Sequence, residues 1–239
     1  MHSEGAVSMS MKWIKWIAIV TMTVDHVGAF LVSDPTLYLA CRIIGRIAYP
    51  LFALMVAEGF RHTRSVGRYL FRFLLFTVLS EAAMAVVWFA YGIDFFLQAN
   101  VFLPLAAGLI ALILASKRKW YFWLPILLIV VAAEWFHTSY GAYGILLIVL
   151  FGLVDRLPLR IVGFVLLSAI FIDWPLPELL GLANGGEIHV FERWYQWIAL
   201  AALIPIGFYD GTRGRFNKWF FYAYYPLHLA VILAIYLLF

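Results

Sequence analysis

CRIIGRIAYPLFALMVAEGFRHTR, residues 41–64, decides the fold class of this chain. Read with the residues just before it, the run over 37–60 is apolar and long enough as a helix to cross a hydrocarbon core of ~30 Å. It also carries charge where charge is expensive. An ionisable side chain among lipid tails costs at least ~2.5 kcal/mol, so Arg42, Arg46 and Glu58 must each face a cavity or a partner. Arg42 and Arg46 stand one turn apart on one face, and Pro50 interrupts the helical ladder between them and Glu58. Arg61 and His62 follow Glu58 at the spacing of same-face neighbours and can pair with it.

Outward from this stretch the apolar theme repeats. Apolar residues make up 65% of the 239 positions and charged residues 13%, and the mean hydropathy is +0.94; a soluble domain carries about a quarter charged residues. Apolar runs bounded by charges, glycines and prolines fall near 12–32, 37–60, 67–91, 95–115, 120–137, 141–154, 159–174, 193–209 and 218–238. The expectation is an all-α polytopic transmembrane helix bundle of about nine helices. Residues 1–11 form a tail expected to be disordered, and 12–239 form a single domain. With the N-terminus in the cytoplasm, the inner connections hold every one of the 17 cations except Arg42, Arg46 and Arg193. That is the positive-inside pattern of a multi-pass protein of the inner membrane. The net charge of +4 thus reflects topology, and nucleic-acid binding has no support. Cys41 is the single cysteine; it reads as a small packing residue, with no zinc or redox spacing around it. P-loop, GxSxG and HExxH signatures are missing as well. The sixth run, 141–154, is short for a crossing and needs shelter from its neighbours. The proline- and glycine-bearing stretch 175–192 is a candidate cap over an outer opening.

The first helix supplies Asp25 and His26. His26 lies about 21 Å along that helix from Lys12, in the outer half of the membrane. Adjacent helical residues point about 100° apart, so Asp25 and His26 meet different partners. A neutral imidazole can take a proton from an attacking amine or hydroxyl, which makes His26 a candidate general base; the bland reading is a helix-packing hydrogen bond. Glu81 lies about 19 Å beyond Arg68 and approaches the depth of His26 and Arg46, where it could pair with Arg46 or orient His26. Arg64, Arg68 and Arg72 follow at four-residue intervals, so one helix face would present three guanidinium groups suited to phosphate, either of a cofactor or of anionic lipid headgroups. Asn100 stands at the outer start of the fourth helix, Tyr143 lies in a YGAYG element opening the sixth, and Tyr225 and His228 sit in YYPLHL of the last helix. For Glu134 and His137, packing or interfacial anchoring is the simpler account.

These residues resemble a known family. Asp25 and His26, the block IGRIAYPLFALMVAEGFRHTR from Ile44 to Arg64, the basic helix after it, YGAYG, and YPLH from Tyr225 to His228 together look like the TraX family, over essentially the whole chain after residue 11. The namesake of that family acetylates the N-terminus of a conjugative pilin, and the family is similar to a larger group of membrane acyltransferases. The resemblance implies an acyl-CoA-dependent acetyltransferase with His26 as the acyl-transfer base and Arg46 and Glu58 in the polar core. By the same resemblance the basic entrance (Arg61, His62, Arg64, Arg68, Arg72) suits the phosphates of acetyl-CoA. The acceptor stays open: a pilin N-terminus, a glycan or another envelope component.

The leading expectation is therefore an acetyl transfer in which His26 deprotonates the acceptor and Arg46 either stabilises the thioester oxyanion or holds Glu81. Asn100, Tyr143, Tyr225 and His228 would line the substrate side. Two competitors use the same residues: a transporter or channel, in which they form a proton or anion pathway, and a structural membrane partner.

Overall fold

The computed structural model describes residues 8–90, 92, 101–136, 138–173 and 194–238. Helix follows helix: α1 (Met11–Leu31), α2 (Pro35–Gly45), α3 (Ala48–His62), α4 (Val66–Ala90), α5 (Phe102–Ala115), α6 (Trp123–Trp135), α7 (Gly141–Leu153), α8 (Leu157–Ser168), α9 (Trp194–Gly207) and α10 (Lys218–Leu238). Three stretches, Met11–Leu31, Pro35–His62 and Val66–Ala90, are long and apolar enough to cross a membrane by themselves, and six shorter apolar helices accompany them. The molecule is an all-α membrane protein, and among the described residues each of the nine apolar runs of the sequence contributes helix. Asn100, His137 and the stretch 175–192 lie outside the described residues.

The expected second helix is two helices. Pro50 has no amide proton to give the carbonyl of Arg46, four residues back, and its ring crowds that carbonyl. The chain turns there, with the Arg46 amide donating to Ile43 O at 3.2 Å and the Ile47 amide to Ile44 O at 3.3 Å. Pro50 then falls in the first turn of α3, where a missing donor costs nothing. At the start of α2 the arrangement is the usual one for a helix N-terminus: Asp34 accepts from the Leu37 amide at 2.8 Å and Pro35 opens the first turn.

α1 and α2 form a tight antiparallel pair because small residues let their backbones approach. Gly28 faces Cys41 and Gly45 faces Asp25 so closely that a Cβ at either glycine would overlap its neighbour. Cys41 is a packing residue in this pair, as its sequence context predicts. α3, α5 and α7 form the buried centre, with Leu51, Ala53, Leu54, Leu109, Leu112, Ile145, Leu147 and Phe151 fully or almost fully enclosed. α7, too short to span alone, is indeed sheltered between α3, α5, α6 and α8. It begins at Tyr140, whose φ of 63° is left-handed, and Glu134 caps it by accepting from the Ala142 amide at 2.6 Å. α6 shows the opposite character: Leu124, Leu127, Leu128, Val131 and Trp135 are exposed, as suits a helix bathed in lipid.

α10 packs against both α1 and α4. The start of α1 is tied to the segment before α10 by backbone bonds, Met9 N to Phe208 O at 2.7 Å, Asp210 N to Met9 O at 3.0 Å and Met11 N to Thr212 O at 2.8 Å. The last residues of the expected tail are thus docked, and they bring the first and last helices together at the end of the bundle where both begin.

The α1–α2 contact gives the first prediction. Gly45→Ala presses on Asp25 and should cost about 1–3 kcal/mol, read as a lower thermal midpoint in detergent. Gly67→Ala, on α4 with open space around it, should leave that midpoint unchanged or raise it, worth up to about 1 kcal/mol. An unchanged midpoint for Gly45→Ala would mean that the two helices do not meet this closely.

Candidate functional site

His26 of α1 meets His228 of α10, with Nδ1 of the first 2.7 Å from Nε2 of the second. The ring planes lie 13° apart. His228 is buried, 7% exposed, and Tyr225, 2% exposed, stands edge-on to both rings. The other nitrogen of His228, Nδ1, is 2.9 Å from the backbone carbonyl of Tyr224. A carbonyl only accepts, so Nδ1 of His228 carries the proton and donates. In the neutral ring Nε2 is then an acceptor, and His26 must donate to it from Nδ1. With its one proton committed there, neutral His26 keeps a lone pair on Nε2, and that atom hydrogen-bonds to no described residue. The Tyr224 side chain stacks on His228 at 5.2 Å and bonds Thr23 Oγ1 at 2.7 Å. Thr23 spends its own proton on Ile19 O, so the phenol is the donor in that pair. Toward the start of α1, a water-sized cavity is bounded by Ile19, Met22, Phe52, Phe102, Tyr224 and Tyr225, with the two tyrosines between it and the histidines' own contacts.

Asp25 points elsewhere, as expected. Its carboxylate accepts from Arg42 at 2.8 Å and from Arg46 at 3.1 Å. Arg46 also donates to Arg42 O at 3.1 Å and to Gln196 Oε1 at 3.3 Å, and its guanidinium lies 5.9 Å from the Tyr140 ring and 5.8 Å from the Tyr195 ring. Each nitrogen of Arg46 therefore has a partner. Arg42 differs: it gives NH1 to Asp25, and its Nε is buried with no partner among the described residues.

A separate network occupies the opposite end of α3. Glu58, 8% exposed, accepts from Arg61 at 2.7 Å, lies 3.6 Å from Arg160, and accepts from the Tyr209 hydroxyl at 3.4 Å. Arg61 and Arg160 both donate to Phe151 O and Val154 O at the C-terminal end of α7, where the helix dipole favours cations. Arg61 also pairs with Asp155 at 2.7 Å, and Nδ1 of His62 donates to Glu58 O at 2.9 Å.

The structure thus sorts the expected residues. It brings together His26, His228 and Tyr225, and joins Asp25 to Arg46 within electrostatic reach of His26. Glu58 is bonded within the second network, twelve residues along the chain from Arg46, and Arg61 and His62 are bonded into it too. The expected pairing of Glu81 with Arg46 is replaced by Asp25, and the expected orienting of His26 by Glu81 is replaced by His228. The reason is topological: α10 packs between α1 and α4, so the last helix supplies the partner. The expected three-arginine face is also corrected, since Arg64 lies in the bend before α4 begins at Val66. Arg68 and Arg72 are exposed on α4 in the company of exposed Phe71, Leu75 and Leu79. Tyr143 lies 3.4 Å from Ser168 Oγ, between α7 and α8, and not at the histidines. Sequence reasoning left out Thr23 and Tyr224, although each lies on the same helix face as its histidine at three- or four-residue spacing. Tyr195 and Gln196 carried no comparable signal.

The family model described as TraX protein matches residues 10–236. The chain is also similar to the probable fimbrial assembly protein FimC, serogroup H1, of Dichelobacter nodosus, 30% identical over 242 residues and covering 92% of each chain. No solved structure matches it.

The hydrogen-bond order of the histidine pair is measurable. In protein labelled with ¹⁵N at histidine, both His26 and His228 should show the Nδ1–H tautomer, with His26 Nε2 unprotonated when the rings are neutral. Finding the proton of His26 on Nε2 would break the chain of donors from which this site is built.

Proposed function

The chain belongs to the TraX family, and on that premise we propose that it is a membrane-bound acetyltransferase that moves an acetyl group from acetyl-CoA to an amine or hydroxyl of an envelope acceptor. The observation that carries this reading is the lone pair held on His26 Nε2 by the Tyr224 carbonyl through His228. A base whose proton is already committed on the far nitrogen is poised to receive one more on the near nitrogen. The acceptor N–H or O–H gives its proton to His26 Nε2 while its heteroatom attacks the thioester carbonyl. The resulting oxyanion collapses, the carbon–sulfur bond breaks, and the imidazolium returns the proton to the leaving thiolate of CoA. Arg42, with donors uncommitted among the described residues, is the guanidinium available to the oxyanion; Arg46 holds Asp25 in place.

The fimbrial role in the name of the relative favours a pilin-like subunit as acceptor. The topology of this proposal is multi-pass in the inner membrane, N-terminus in the cytoplasm, surrounded by lipid. A proton or anion pathway is less well supported, because ionisable groups would have to follow one another across the bundle. Between Arg46 and Glu58, α3 offers Leu51, Phe52, Ala53, Leu54 and Val56, all buried.

The test is purified protein in lipid nanodiscs with labelled acetyl-CoA, following donor hydrolysis or transfer to a pilin-derived N-terminal peptide. His26→Ala should lower the rate 10²–10⁴-fold, on the order expected for a general base. His228→Ala should lower kcat with little change in KM, as befits a positioning residue. Full activity in His26→Ala, or wild-type protein that neither binds nor consumes acetyl-CoA, would defeat the proposal.

A further inference from the structure

Resting on the acetyltransferase reading, we propose that the phosphates of the CoA donor dock at the foot of the α1–α10 seam, on Lys12, Lys15, Arg213 and Arg215, and not on the arginines of α4. Lys12 and Lys15 are three residues apart on α1 and share a face. The segment before α10 is fastened to the start of α1 by the Met11–Thr212 and Met9–Phe208 backbone bonds. Gly214, between Arg213 and Arg215, turns at φ 60°, and a Cβ there would press on Ser10 and Lys12. Lys15 Nζ lies 5.1 Å from the Phe216 ring and within electrostatic reach of Arg213. The acid of this segment, Asp210, is turned into its own loop, accepting from the Thr212 amide at 2.8 Å and hydroxyl at 2.6 Å.

Cations drawn from the two ends of the sequence thus meet at this seam, Lys15 and Arg213 repelling each other there and Lys12 lying against the Gly214 turn. A polyanion relieves that repulsion, and CoA is one, with a pyrophosphate and a ribose phosphate. The position also suits the chemistry above it. From Lys15 to His26 is about 16 Å along α1, within reach of an extended pantetheine arm. Ile19, Met22, Tyr224 and Tyr225 lie on the way and border a water-sized cavity, which the arm would have to widen. Among the other basic residues, Arg61 binds Glu58, Asp155 and the end of α7. Arg68 and Arg72 stand among exposed apolar side chains, the setting of side chains that reach from lipid to the headgroups.

Phosphate recognition could serve CoA or a lipid headgroup, and the experiment separates them. Full-length protein is placed in nanodiscs of neutral lipid and its affinity for acetyl-CoA and for 3′-dephospho-acetyl-CoA is measured by calorimetry. The Arg213→Gln/Arg215→Gln variant should bind acetyl-CoA at least about tenfold more weakly, with kcat at saturation retained. It should also discriminate less between the two donors than wild type does. Arg68→Gln/Arg72→Gln should bind the donor as wild type and instead lose preference for nanodiscs containing anionic lipid. Unchanged donor affinity in the first variant, or a loss confined to the second, overturns this placement while leaving the enzyme reading intact. Wild-type protein that does not bind acetyl-CoA at all overturns the enzyme reading, and this inference with it.

Discussion

A backbone carbonyl has lone pairs and no proton, and at Tyr224 that one-way property governs the whole histidine pair. It fixes the proton of His228 on Nδ1, which makes Nε2 an acceptor, which fixes the proton of His26 on its own Nδ1. A carboxylate would set the same order in a soluble enzyme, but it would bring a charge into the bilayer. A helical carbonyl brings none. Pro226 lies two residues after Tyr224 in α10, yet the Tyr224 carbonyl remains turned to a side chain of the same helix face, so the orienting group is part of the element it orients.

The charged residues obey the same economy by a different route. The Asp25 network sets two guanidinium groups against one carboxylate and the Glu58 network two against Glu58 and the exposed Asp155, and both complete their bonding with neutral oxygen: Gln196 and Arg42 O at one, the α7 carbonyls and Tyr209 at the other. They differ in what is left over. The Glu58 network consumes its donors against a helix end and reads as a joint between α3, α7 and α8. The Asp25 network leaves Arg42 Nε buried without a described partner, within electrostatic reach of His26. Equal buried charge therefore carries unequal functional weight, and the unspent donors mark the difference.

Much of this was legible in the residues. Hydropathy located the apolar helices found among the described residues, and the 100° rotation per residue separated Asp25 from His26 correctly. Within-helix pairs were readable too, such as Glu58 with Arg61, because three-residue spacing is local information. What sequence could not supply was which helices are neighbours. Glu81 matched His26 in depth, but depth is one coordinate, and α10 occupies the place beside α1 that the third span would have needed. The break at Arg46 was half legible: Pro50 announced a disturbed ladder, yet the proline itself sits comfortably in the first turn of α3 and the fault appears four residues earlier, where its missing proton is felt. Arg64 failed for a similar reason, since a four-residue rhythm means a shared face only if the helix has already begun.

On the proposed reading, the bundle also has a direction. α1 and α10 both start at the basic end and run side by side, so the seam between them passes from cations, through the small apolar cavity, to the histidine pair. Asp25, Arg42, Arg46, Tyr140 and Tyr195 form a second cluster, contributed by α1, α2, the α6–α7 turn and α9. A donor entering along the seam would present its thioester to His26 from one side, and the acceptor would meet the same nitrogen from the other. That geometry needs no opening through the membrane. Two approaches ending at one imidazole would let an acyl group pass from donor to acceptor while the buried apolar centre of α3, α5 and α7 stays closed, and that would separate such a transferase from a channel built of the same side chains.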